Sequence, residues 1–127
     1  MVRAQVLLPA DLESTTAARR FAETTLASWG MDARRSETAG LLVTELVANA
    51  MIHAATPAEL VLDLSDDRLR VEVGDTAGGR PLLRAPGPDD PTGRGLMIVE
   101  AMADRWGVED APPGKIVWFE LDAPATG

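Results

Sequence analysis

A chain of 127 residues is one ordinary domain; 46% apolar residues suffice for a core, but with only 4% aromatics that core must be aliphatic and alanine-rich. The net charge of −8 comes without a basic stripe, which excludes the usual signature of a nucleic-acid binder. The absence of cysteine rules out a disulfide framework, a zinc ribbon and thiol catalysis, and a single histidine, His53, rules out a multi-histidine metal site. No apolar run reaches the ~18 residues of a membrane span. The opening MVRAQVLLPADLE turns acidic too soon for a signal peptide. These features predict a cytoplasmic protein, with residues 1–127 forming a single domain.

In chain order, Val6 to Leu8 is a short apolar run stopped by Pro9 and reads as an edge strand. Thr15 or Thr16 is placed to cap a helix that runs to about Ser28, with Gly30 just beyond its end. Asp32 opens a second helix over about Ala33 to Ala54, whose buried stripe is Ala39, Leu42, Val43, Leu46, Val47 and Ala50. Pro57 ends it. Glu59 to Leu64 and Arg68 to Val73 read as two strands joined by a Ser65-Asp66-Asp67 turn. Thr76 to Thr92 holds four prolines and three glycines without periodicity, and such a long irregular segment inside a compact domain is usually functional or mobile. From Gly93 a third helix is indicated by Leu96, Val99, Met102 and Ala103.

Trp106 to Val108 is a short strand and Lys115 to Leu121 the last one. Ile116, Trp118 and Glu120 fall on one face of that strand, and Val117, Phe119 and Leu121 on the other. Sequential strands with helices grouped apart predict a two-layer α/β (α+β) sandwich. Its sheet is mixed but mainly antiparallel and is covered on one face by about three helices. Trp106, Trp118, Met31, Met51, Met97 and Met102 are expected to be packing residues. Arg19 and Arg20 read as a solvated face with local pairing to Glu23.

Three short patterns carry possible chemistry. Glu45 and Asn49 are four apart on the second helix, so they share a face, and His53 continues the line. A carboxamide oxygen is a hard ligand suited to Mg²⁺, and a neighbouring carboxylate can orient water or take a proton. Alone, the pair reads first as an ordinary solvated helix face. Asp75 ends a strand where Gly78 and Gly79 begin a loop; it suits the exocyclic amine of a purine, or a plain turn. Thr92-Gly93-Arg94-Gly95-Leu96 is a glycine-rich turn opening a helix, where bare amides and the helix dipole favour phosphate.

Together, in this order, the three patterns resemble the GHKL (Bergerat-fold) ATPase superfamily. Glu45-Leu-Val-Ala-Asn49-Ala-Met-Ile-His53 looks like its N box, Val73-Gly-Asp75-Thr-Ala-Gly-Gly79 stands where its G1 box belongs, and Gly93-Arg-Gly95-Leu-Met-Ile-Val99 looks like its G2 box. The likeness is to the small stand-alone anti-sigma-factor serine/threonine kinases of actinomycete type, through Val43-Thr-Glu45-Leu-Val-Ala-Asn49-Ala and Gly114-Lys115-Ile-Val-Trp118-Phe-Glu-Leu121. It covers about Ala17 to Leu121.

The resemblance implies a Bergerat ATP-binding fold with ATP and Mg²⁺ as cofactors. Asn49 would be the metal ligand and Glu45 the catalytic base. Asp75 would hold the adenine amine, and His53 and Gly79 would lie near the nucleotide. Thr92, Gly93, Arg94, Gly95 and Leu96 would wrap the phosphates, and residues 76–92 would be the ATP lid. Two departures fall in the adenine half: Ala77 replaces the first glycine of Asp-x-Gly-x-Gly, and Ile116 stands where a threonine after Gly-Lys often helps hold the base. The implied function is a protein-serine kinase that phosphorylates an anti-sigma-factor antagonist, sequesters a sigma factor and forms a homodimer. The alternative is an ATP-responsive binding module without phosphoryl transfer. A sensor histidine kinase fragment fits poorly, because the only histidine lies in the nucleotide helix that the resemblance implies, and not in a separate phosphoacceptor helix.

Overall fold

The computed structural model describes residues 1–11, 13–53, 56–75, 91–112 and 114–123. They form five strands and three helices: β1 (Val2–Leu8), α1 (Ser14–Ser28), α2 (Ala33–His53), β2 (Ala58–Leu64), β3 (Arg68–Asp75), α3 (Pro91–Met102), β4 (Arg105–Ala111) and β5 (Gly114–Asp122). The strands make one sheet in the order β1-β2-β3-β5-β4. Every pairing is antiparallel, so the parallel component expected of a mixed sheet is not found among the described residues. The pairs β2–β3 and β4–β5 are joined by short turns, which favours their antiparallel arrangement. The three helices pack as a layer against this sheet, giving the two-layer sandwich.

Why these residues form these elements can be followed locally. Ala18, Ala22 and Leu26 recur every four residues on α1 and are all fully buried. The helix starts at Ser14, ahead of the expected threonine cap. Glu13 precedes it without a side-chain cap, while the Ser14 hydroxyl donates to the carbonyl of Pro9 at 2.7 Å. At its other end Gly30 has φ of 86°, and the amides of Gly30 and Met31 reach back to the carbonyls of Ala27 and Leu26. Only a residue without a β-carbon takes that left-handed stop at no cost. Asp32 opens α2 by accepting a hydrogen bond from the Arg35 amide at 2.8 Å. That backbone bond, with the Arg35 guanidinium beside it, holds the Asp32 carboxyl below its usual range.

The core lies between the helix layer and one face of the sheet. The α2 stripe of Ala39, Leu42, Val43, Leu46, Val47 and Ala50 is buried as expected, against Leu60 and Leu62 of β2, Val71 and Val73 of β3, and Val117 and Phe119 of β5. Phe119 is the largest fully buried side chain, and truncating it to alanine would cost about 3–5 kcal/mol.

None of the described helices covers the other face of the sheet. There Arg70 pairs with Glu72, Glu109 and Glu120 at 2.8, 3.1 and 3.3 Å, and Arg105 pairs with Glu120 and Asp122. Trp118 belongs to this face, with the Arg70 guanidinium 4.3 Å from its ring centroid. It is therefore not a core residue, in contrast to Trp106, which packs against the core. The methionines also divide. Met51 is buried and Met31 packs on the core, but Met97 and Met102 are 53% and 42% exposed on α3. The expectation that all four pack therefore holds for Met31 and Met51 and fails for Met97 and Met102. Arg19 pairs with Glu23 one turn along α1, as expected of a solvated face.

Candidate functional site

The chain path brings the N-box helix and the strand-end aspartate together. Helix α2 ends at His53 and β2 begins at Ala58, where Glu59 is the register partner of Gly74. The last turns of α2 and the end of β3 therefore lie at the same edge of the domain. The start of β5 joins them, because Lys115 is the register partner of Asp75. Helix α3 packs on α2.

Asn49 sits in this corner and is only 3% exposed. Its Oδ1 is buried and has no hydrogen-bond partner among the described residues. An unpaired buried carbonyl costs about 1–3 kcal/mol; the Ser36 hydroxyl and one Asp63 oxygen share that state, but only Asn49 has it one turn from a half-buried carboxylate in this corner. Glu45, one turn earlier, is half-buried, and burial raises the pKa of its carboxyl above the ordinary glutamate value. That shift makes it a stronger proton acceptor than an exposed glutamate. An amide oxygen with a carboxylate one turn away fits a hard divalent cation, which takes oxygen ligands.

Asp75 is buried on the helix-facing side of β3, and its Oδ2 lies 3.0 Å from the Nζ of Lys115. Both side chains are nearly enclosed, at 3% and 5% exposure. Sequence reasoning overlooked Lys115 and considered Ile116 instead. The register explains the difference: Ile116 pairs with Gly74 and Glu109 on the open face of the sheet, whereas Lys115 shares the face of Asp75. Strand alternation grouped Lys115 with Val117 and Phe119, and that was the available signal.

Leu96 is buried at 4% exposure and its side chain belongs to the core, so only its backbone could approach a phosphate. Helix α3 begins at Pro91, earlier than the expected turn at Gly93. Proline suits a first helical position, since its φ is already helical and its missing N–H would be unpaired there anyway. Thr92, Gly93, Arg94 and Gly95 thus lie within the first turns of the helix rather than before it, and residues 91–92 of the expected lid are helical. The amides that helix geometry leaves unbonded are then those of Thr92 and Gly93. Gly79 and the remainder of the expected lid, residues 76–90, lie outside the described residues, as do the side chains of His53 and of residues 91–95.

A separate cleft of about 300 Å³, bordered by Asp32, Arg34 and Asp104, lies at the opposite end of α2. At 1.5 Å per residue it is roughly 25 Å along the helix from Asn49, and it belongs to a different part of the surface. Among the described residues no cluster of three or more acidic or histidine side chains forms a ready-made metal site, and no helix is long and apolar enough to cross a membrane.

Comparisons with known proteins agree with this arrangement. Residues 8–121 match the model of the histidine kinase-like ATPase domain. The chain is similar in structure to the RsbU and RsbW domains of Rv1364c from Mycobacterium tuberculosis, with a TM-score of 0.72 at 18% identity. That superposition covers 98% of this chain and 33% of the other, so the chain spans about a third of the length of that structure. At this identity the likeness establishes a shared fold. A search of curated proteins gives no significant match. The matched domain is described as an ATPase, which implies ATP as its nucleotide. With a family model covering nearly its whole length, the chain belongs to the histidine kinase-like (GHKL) ATPase family.

Proposed function

We propose that the protein is an ATP-dependent protein-serine kinase that phosphorylates an anti-sigma-factor antagonist and, when not so engaged, sequesters a sigma factor. The observation that carries this reading is the buried, unpartnered Oδ1 of Asn49 one turn from the half-buried Glu45. Asn49 is the ligand for Mg²⁺, which when bound neutralises phosphate charge. Glu45 accepts the proton of the substrate serine hydroxyl as its oxygen bonds to the γ-phosphorus; the bond from that phosphorus to the β–γ bridging oxygen breaks and ADP leaves. Asp75 receives the adenine amine. The amides of Thr92 and Gly93, with Arg94 and the start of α3 behind them, hold the phosphates. His53 and Gly79 border the nucleotide, residues 76–92 serve as the lid, and the working unit is a homodimer.

The test is transfer of label from γ-labelled ATP to candidate antagonist proteins, with Glu45→Gln alongside. Transfer that disappears in Glu45→Gln while ATP binding persists supports the kinase. ATP binding without transfer to any antagonist from the native cell instead leaves an ATP-responsive binding module.

A further inference from the structure

Lys115 is an unusual occupant of its position. It lies on the helix-facing side of β5 in line with Val117, Phe119 and Leu121, all buried, and is itself 4% exposed. Lysine is almost never so enclosed unless it is paired. Its partner is Asp75, directly opposite in the β3–β5 register. On the other side its register partner is Asp110 of β4, so the ammonium stands in a row between two aspartate positions. A buried ion pair is not needed for stability as such, since well-packed apolar residues of similar volume often serve as well or better. Its placement at the edge shared with Asn49 points to a role in ligand selection.

We infer that Lys115 is a specificity-determining residue of the base pocket, which holds Asp75 as a fixed, acceptor-only carboxylate and so selects 6-aminopurine over 6-oxopurine nucleotides. The inference rests on the proposal that Asp75 receives the purine amine. An ionised carboxylate only accepts hydrogen bonds, whereas a protonated one also donates. The Lys115 ammonium, 3.0 Å away, is the counter-charge beside this enclosed carboxylate, and the contact fixes its orientation. It matches the N–H donors on C6 of adenine and repels the carbonyl oxygen at that position in hypoxanthine or guanine. Without the ammonium, the carboxylate loses the ion pair that orients it, and discrimination between the two edges is lost. Lys115 thus acts on the base through Asp75, as a positioning residue.

The experiment is calorimetric titration of the full chain with ATP and with ITP, which differ along the C6–N1 edge: an amine at C6 and a bare N1 in adenine, a carbonyl at C6 and an N1–H in hypoxanthine. Wild type is expected to prefer ATP by about tenfold or more, the discrimination available to a charge-assisted hydrogen bond. Lys115→Met is expected to weaken ATP binding and bring the two affinities within about threefold of each other, leaving ITP nearly unchanged. Where that variant melts below the assay temperature, Lys115→Gln, similar in length and uncharged, carries the same expectation. A preference for ATP that survives loss of the ammonium, or a parallel weakening of both nucleotides, overturns the role given to Lys115. Wild type that binds neither nucleotide overturns the underlying reading of the site.

Discussion

The indole of Trp118 packs against the backbone of Gly107 so closely that a β-carbon at Gly107 would come within 2.9 Å of the ring. Real β-carbons do not approach that near, so alanine at this position must displace either the strand or the ring. The ring has little freedom, because Arg70 lies over it and is held in turn by Glu72, Glu109 and Glu120. Gly107→Ala is therefore expected to lower stability by about 1–3 kcal/mol, the usual cost of overpacking. Chemical denaturation checks this. An unchanged midpoint would mean that β4 shifts freely against β5.

Glu120 ties the same face together. Burial alone would push its carboxyl up, but hydrogen bonds from Arg105 and Arg70 outweigh that and hold it below the ordinary glutamate range. A depressed native pKa contributes stability above the unfolded value of about 4.3, and loses it as pH falls through the native pKa. Glu120→Gln is thus expected to cost about 1–2 kcal/mol at pH 7. The gap to wild type should close as the solution is acidified below about pH 4. Melting curves of the two proteins across pH provide the measurement.

Glu45 has the opposite sign. Burial raises its native pKa, so its contribution to stability is greatest below the unfolded value of about 4.3 and is lost as pH rises through the native one. Near neutral pH the ionised side chain destabilises the fold. Glu45→Gln is expected to melt higher than wild type at pH 7–8, with the gain vanishing below about pH 4, while phosphoryl transfer falls by at least about a hundredfold. A variant that is both more stable and inactive is the mark of a residue kept for chemistry.

The architecture was largely legible in the sequence because two periodicities carry it. The α2 stripe from Ala39 to Ala50 repeats at helical spacing, and β3 alternates Leu69, Val71 and Val73 with polar residues. What these patterns leave open is which sheet face the helices cover. Alternation correctly grouped Trp118 with Ile116 and Glu120, but the hydrophobicity of an indole suggested the core. Its place on the open face depends on Gly107 beneath it and Arg70 above, contacts that bring three strands together. Lys115 escaped notice for the same kind of reason. A lone lysine in a strand reads as solvated until the pairing register sets Asp75 beside it. The Glu45–Asn49 pair was visible as spacing, whereas the unpartnered state of the Asn49 oxygen is a property of the packed corner.

The account turns on Asn49, and the most direct measurement is ATP affinity by calorimetry with Mg²⁺ and with a chelator, for wild type and Asn49→Ala. Wild type is predicted to bind ATP at least about tenfold more tightly with Mg²⁺, the worth of one well-made charged contact. Asn49→Ala should bind equally weakly in both conditions. Wild type indifferent to Mg²⁺, or Asn49→Ala retaining the full Mg²⁺ dependence, would contradict the assignment of the buried Asn49 oxygen as the metal ligand.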